Sequence, residues 1–166
     1  MVIIREADNA DVADIRTLFE EYAQSLGIDL GFQGFEQELA SLPGAYAPPA
    51  GRLLLAADGA RRVGCVAVRR LGDDMCEMKR LYVRPEARGQ RLGRRLAEAA
   101  IAFGRAAGYR SMRLDTLPSM ATAHELYQEL GFRDIAPYRY NPVHGTAFME
   151  LVLDGATDAR REPTNR

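Results

Sequence analysis

The chain has 166 residues, enough for one domain with a sizeable core, and 47% of them are hydrophobic. That content excludes a disordered chain, and no run of ~18 apolar residues is present to cross a membrane. The formal net charge of -1 excludes bulk electrostatic attraction to nucleic acid and leaves only a local basic stretch from Arg84 to Arg95. Glu6 and Asp8 interrupt the N-terminus, so no secretory leader is read there and a cytoplasmic protein is expected. Cys65 and Cys76 lack metal-ligand spacing; they are expected as reduced, apolar strand residues, with no metal.

Val2 to Arg5 is a short strand candidate. Asp8 is a good N-cap with Asp11 three residues on, and Val12, Ile15, Phe19, Tyr22 and Leu26 then share one helical face that Gly27 ends. After a glycine-punctuated connection, Phe35, Leu39 and Leu42 suggest a second, short helix ended by Pro43, and Pro43 to Gly51 reads as loop. The aromatics Phe32, Phe35 and Tyr46 are either core or pocket lining. Arg52 to Ala57, the Asp58-Gly59 pair and Val63 to Arg70 read as strand, turn, strand. A second turn, Leu71 to Asp74, leads into the strand Met78 to Val83, which Pro85 stops, so three consecutive strands form a meander.

Beyond Pro85, Arg88 to Gly93 carries two glycines among basic residues. Leu92, Leu96, Ala99, Ala100 and Phe103 follow as one face of a helix, expected from about Gly89 to Ala107 and capped by Gly108. A basic, glycine-containing loop thus sits on a helix N-terminus, where unpaired amides and the dipole favour an anion. A diphosphate is the natural ligand, against the alternative of a solvated arginine face. Ser111 to Thr116 is again strand, so strand, helix and strand make a parallel crossover unit. Ser119 is read as the cap of a last helix whose face holds Met120, Ala123, Leu126, Tyr127 and Leu130, ended by Gly131. Phe132 to Ile135 and Phe148 to Leu153 close the sheet, and 155–166 has the composition of a disordered tail after a domain spanning 1–154.

Arg88-Gly-Gln-Arg-Leu-Gly93 resembles the Arg/Gln-x-x-Gly-x-Gly/Ala pyrophosphate loop of the GCN5-related N-acetyltransferases, the GNAT superfamily, with Arg91 standing where glycine is usual. Leu126-Tyr127-Gln-Glu-Leu-Gly131-Phe132 is similar to the family's Leu-Tyr-x-x-x-Gly-Phe segment. The element order matches over about residues 2 to 153. The resemblance implies an α/β (α+β) GNAT fold: one mixed, mostly antiparallel sheet of about seven strands with about four helices and splayed central parallel strands. It also implies an acetyl-coenzyme A cosubstrate and acetyl transfer to a primary amine by direct attack in a ternary complex. A catalytically silent acyl-coenzyme A sensor is the alternative.

Carried over residue by residue, the family pattern places the pantetheine arm against the backbone of Leu81, Tyr82 and Val83. The pyrophosphate falls against Arg88, Gly89, Gln90, Arg91, Leu92, Gly93 and Arg94. Glu77 matches the general base of histone-acetylating relatives; the competing reading is a salt bridge to Lys79, Arg69 or Arg70. Tyr127 matches the tyrosine that protonates the departing thiolate, or else it is a core aromatic. Met120 stands where relatives often carry an asparagine to the pantetheine. The acceptor amine would be decided by Gly27 to Gly51 and Tyr138 to Thr146, which hold Asp29, Glu36, Tyr46, Tyr138, Tyr140 and His144 without an interpretable pattern; an acidic pair there would suit a cationic amine. No nucleic-acid or membrane partner is expected, and a homodimer is allowed for.

Overall fold

The computed structural model describes residues 1–153. Its elements run β1 (Val2–Glu6), α1 (Val12–Leu26), α2 (Phe35–Ser41), β2 (Arg52–Asp58), β3 (Arg61–Arg70), β4 (Met75–Val83), α3 (Leu92–Ala106), β5 (Ser111–Thr116), α4 (Ala121–Glu129), β6 (Arg133–Ile135) and β7 (Ala147–Val152). The tail expected over 155–166 lies outside the described residues. A single seven-stranded sheet has the order β1-β2-β3-β4-β5-β7-β6, antiparallel at every pairing except β4 against β5. This is the expected mixed architecture, with four helices.

The apolar runs of β2 and β3 follow from burial on both faces, because successive side chains of a strand point to opposite sides. Leu53, Leu55, Cys65 and Ala67 share one core with Ile15, Leu18 and Phe19 of α1. Leu54, Ala56, Val66 and Val68 share the other with Leu96, Ala97 and Ala100 of α3. Each leucine so buried contributes about 1.5–3 kcal/mol relative to exposure. Both cysteines are free thiols inside these cores.

Local chemistry sets the element ends, with four departures from expectation. Asp8 and Asp11 form a reciprocal capping box, but on a 3-10 turn (Asn9–Asp11) that precedes α1. Asp58 pairs with Arg61, so the hairpin loop is Gly59-Ala60 rather than Asp58-Gly59. Neither α3 nor α4 has a side-chain cap: α4 begins at Ala121 behind Met120, not under Ser119, and α3 begins at Leu92 rather than near Gly89. The late start of α3 has a backbone cause, since Gly89 (φ 95) and Arg91 (φ 55) are both left-handed and cannot be helical.

Two irregularities of β4 shape everything around it. Its ladder to β5 covers only Met75 to Glu77, opposite Ser111 to Arg113, after which the two parallel strands part. Its ladder to β3 jumps from Ala67↔Lys79 to Cys65↔Tyr82, so Val66 faces both Arg80 and Leu81 across a β-bulge. Arg80 sits in this bulge at φ 61, a conformation that costs a non-glycine residue roughly 1–2 kcal/mol. The cost is offset by its side chain, 3% exposed, which donates to both oxygens of Glu38 at 2.9 and 3.0 Å and lies 5.1 Å from the Phe35 ring centroid. The Cys65 thiol donates to the Arg80 carbonyl at 3.3 Å. Helix α2 is therefore fastened to the bulge through Phe35 and Glu38.

Burial pushes the Glu38 carboxyl up, but the Arg80 guanidinium outweighs it and the net shift is downward. Glu38→Ala leaves a buried guanidinium without its counter-ion, which should cost about 3 kcal/mol of stability. Urea unfolding measures this directly; a variant as stable as the native chain would show that the bulge holds without the ion pair.

Candidate active site

Where β4 and β5 separate, three cavities follow one another across the sheet. The largest, about 800 Å³, is lined by Leu81, Tyr82 and Val83, by the start of α3, and by α4. A constriction of about 20 Å³ lies beside Lys79, Arg80, Asp115 and Tyr127. An outer cavity of about 440 Å³ is walled by Phe32, Gln33, Arg69, Lys79, Tyr138 and Arg139. The first two share Tyr22, Leu81 and Met120, and the last two share Gln33 and Lys79, so the three adjoin in series from the α3 loop to the far end of the split.

The large cavity suits a long ligand with an anionic end. Past Glu77 the edge of β4 that faces β5 carries no strand, which leaves its amides and carbonyls open to an amide-bearing chain. At the other end α3 starts without a side-chain cap, and its first-turn amides and dipole are left to an external acceptor. Arg88, Arg91, Gly93 and Arg94 line the wall there, as the sequence suggests. Gly89, Gln90 and Leu92 do not; Leu92 is 2% exposed and packs into the core, so only its backbone can serve a ligand. A Cβ built on Gly93 would meet only Leu126 Cδ2, at 4.0 Å, so the space beside this glycine is open on the protein side.

The arginine-rich stretch is largely tied down within the chain. Arg84 pairs with Glu21 at 2.8 Å, Arg94 with Glu98 at 2.8 Å and Glu129 at 3.2 Å, and Arg95 donates to the Val2 carbonyl at 3.0 Å. Arg88 donates to the Val83 carbonyl, closing the loop onto the end of β4. Arg91, exposed at the rim of the cavity, is the member with neither a bond nor an ion pair among the described residues.

Glu77 is fully buried and saturated. Arg69 reaches its Oε1 through Nε at 3.0 Å and Nη2 at 2.9 Å, while Oε2 accepts from the Tyr138 hydroxyl at 2.7 Å and from Arg139 Nη2. Three hydrogen bonds and a further guanidinium contact thus occupy a carboxylate that has roughly four lone-pair sites. Glu77 lines none of the three cavities, and the salt-bridge reading holds, with Arg139 as a further partner from the β6–β7 loop. Sequence spacing gave no means of finding Arg139, which is 62 positions away.

Tyr127 lines the constriction, 5% exposed, with its ring edge-on to Phe132 at 5.7 Å. Its hydroxyl has no hydrogen-bond partner among the described residues. Burial pushes the phenol well above its ordinary value, with Tyr22 and Asp115 adding to the effect, so it is protonated at neutral pH. Asp115, unremarked in the sequence because an acidic residue in a strand looks like a solvated one, is the carboxylate of the constriction; its side-chain partner is Asn141 at 3.5 Å. Lys79 is also unanticipated as a site residue. It donates to Gln33 at 3.0 Å and lies 4.0 Å from Glu77, and burial, helped by Arg80, pushes its ammonium down to about 7.

Of the aromatics left open, Tyr46 is core, Phe35 packs at its edge, and Phe32 lines the outer cavity. Tyr138 and Tyr140 line that cavity too, whereas His144, Asp29 and Glu36 are exposed and stand away from it. Among the described residues no helix is long and apolar enough to cross a membrane.

Known proteins carry the same pattern. The family model described as "Acetyltransferase (GNAT) family" matches residues 13–132. An uncharacterized N-acetyltransferase of Schizosaccharomyces pombe is 44% identical over 145 residues, covering 86% of this chain and 89% of that protein. An IAA acetyltransferase of Azospirillum brasilense is 39% identical, covering 92% and 98%. Among solved structures, a GNAT-family acetyltransferase of Staphylococcus aureus superposes with a TM-score of 0.77 at 20% identity, covering 92% of this chain and 99% of its own. That of yncA from Salmonella typhimurium, with its cofactor acetyl-CoA, has a TM-score of 0.67 at 23% identity, covering 93% and 95%. The match spans the split strands, the α3 loop and Tyr127 together, and this chain belongs to the GNAT family of acetyltransferases.

Proposed function

We propose that the protein transfers an acetyl group from acetyl-coenzyme A to a primary amine by direct attack, with both substrates bound at once. The observation that carries this reading is the series of adjoining cavities at the split sheet, a large one on one side of the Tyr127 constriction and a smaller one on the other. Acetyl-coenzyme A bound to yncA supports the choice of cosubstrate. Pantetheine lies along Leu81 to Val83, the pyrophosphate meets the first-turn amides of α3 and the side chains of Arg88 and Arg91, and the thioester reaches the constriction. Gly93 leaves room for the phosphates. The backbone of Gly89, Gln90 and Arg94 completes the loop.

A lysine-type amine, with a pKa of about 10.4, arrives as ammonium at neutral pH and must lose one proton before it attacks. That proton leaves through the outer cavity to water. The nitrogen pair then attacks the thioester carbonyl carbon, and free amides on the edge of β4 stabilise the oxyanion. The nitrogen, now bonded to carbon, passes its surplus proton to Asp115. As the intermediate collapses the C–S bond breaks, and Tyr127 delivers its proton to sulfur. Water returns the proton from Asp115 to Tyr127. This assignment replaces Glu77 as base, because Glu77 is buried, lines none of the three cavities and is held by Arg69, Tyr138 and Arg139.

Thiol release from acetyl-coenzyme A in the presence of a panel of amines tests the reaction and separates an enzyme from a silent sensor. Tyr127→Phe keeps the ring on Phe132 and should lower kcat about a hundredfold, the low end for general acid catalysis because a thiolate leaves tolerably well unaided. Native turnover in a stable Phe variant would reduce Tyr127 to a packing residue. Asp115→Asn should lower kcat by about 10² while the KM for acetyl-coenzyme A holds. If Asp115→Asn is fully active and Glu77→Gln is instead inactive yet folded, the proton goes to Glu77 after all.

A further inference from the structure

The geometry points to an acceptor that carries a carboxylate as well as its amine, a free amino acid or a close relative, whose carboxylate is bound by Arg69 and Arg139 in the outer cavity. This inference rests on the reaction proposed above and names the substrate class. Asp29 and Glu36 of the acceptor loops stand away from the outer cavity, and its walls are basic. Three cationic side chains wall it, Arg69, Lys79 and Arg139, and no carboxylate does.

One buried acid, Glu77, lies behind that wall and is shared by both arginines. Two guanidinium groups and a lysine against one carboxylate, in a site where Lys79 is 7% exposed, is a charge imbalance that an anionic ligand would correct. The state of Lys79 agrees. Burial, and after it Arg80, lower its ammonium to about 7, Glu77 opposes them, and Arg69 and Arg139 push it further down, so an anion bound beside it would favour the charged form.

The donors are also available. Arg69 uses Nε and Nη2 on Glu77 and Arg139 uses Nη2, which leaves Arg69 Nη1 and Arg139 Nε and Nη1 without an acceptor among the described residues. Both guanidinium groups are partly exposed, at 29% and 19%, and Arg139 is braced 5.0 Å over the Tyr138 ring. Guanidinium forks so held match the planar geometry of a carboxylate. At the inner end of the same passage Asp115 places a carboxylate beside Lys79 and the Glu38-paired Arg80, where the amine must sit. A ligand positive at its inner end and negative at its outer end fits this ordering, whereas a polyamine or aminoglycoside would bring its second cation against the arginines.

The test is a matched series: free amino acids, their carboxamides, and the decarboxylated amines. Each is assayed for thiol release with acetyl-coenzyme A and for calorimetric binding to the protein saturated with coenzyme A, where no transfer can occur. Free acids should bind at least ~10-fold more tightly than their carboxamides, the usual worth of a hydrogen bond to a charged group. Arg139→Gln and Arg69→Gln should each shrink that ratio to a few-fold while leaving the KM for acetyl-coenzyme A unchanged.

Equal or better binding of carboxamides or decarboxylated amines overturns the inference, as does failure of every free acid to bind. The ligand series needs no variant, so a poorly folding arginine mutant does not blunt it. Acids that bind through the arginines without releasing thiol would refute the transferase reading and leave this one standing. Rapid thiol release with amines lacking a carboxylate would do the opposite.

Discussion

The site depends on one strand being prevented from finishing its ladder. Had β4 paired with β5 along its whole length, main-chain bonds would close the sheet and no ligand could cross it. The bulge at Arg80 shifts β4 against β3 at the point where β4 leaves β5, and it leaves the backbone of Met78 to Val83 unpaired on that side. A left-handed arginine is an expensive way to do this. The ion pair with Glu38, the flanking aromatic rings and the Cys65 thiol on its carbonyl supply the compensation. Stability near the site is thus spent on keeping two strands apart, which is where local strain is expected in a functional fold.

Charge is ordered along the resulting passage. Basic residues and helix dipole mark the entrance at α3, a carboxylate and an unpartnered phenol occupy the constriction, and a cationic wall closes the far end. Each zone suits a different part of the proposed ternary complex: diphosphate, reacting amine and thioester, and acceptor carboxylate. Buried Glu77 ties the far wall together, since it links β4 to Arg69 on β3 and to Tyr138 and Arg139 of the β6–β7 loop. Through it the acceptor loop is fixed to the strand that carries the cofactor edge.

What the sequence displayed was what local spacing encodes. Apolar periodicity located the helices, Gly27, Gly108 and Gly131 ended three of them with positive φ, and the two motif segments put the α3 loop and Tyr127 in one cavity system. Arg91 was visible as a departure from the glycine pattern, and its φ of 55 gives the reason glycine is usual there. The rest depended on contacts between distant segments. Arg80 and Asp115 carried no signal of their own, and Lys79 stood only as a candidate partner for Glu77; nothing local announces that a strand will bulge, or that Glu38, 42 positions away, will bury an arginine. The surroundings of Glu77 were hidden for the same reason, because its donors come from one other strand, β3, and a loop.

Hydrogen exchange of the β4 amides with and without acetyl-coenzyme A addresses the central claim, that the cofactor takes the place of the missing strand. Protection should rise within Met78 to Val83 and in the first turn of α3, while β2, already paired on both edges, should not change. Saturating acetyl-coenzyme A that protects other segments and leaves β4 exchanging as in the free protein would contradict the account.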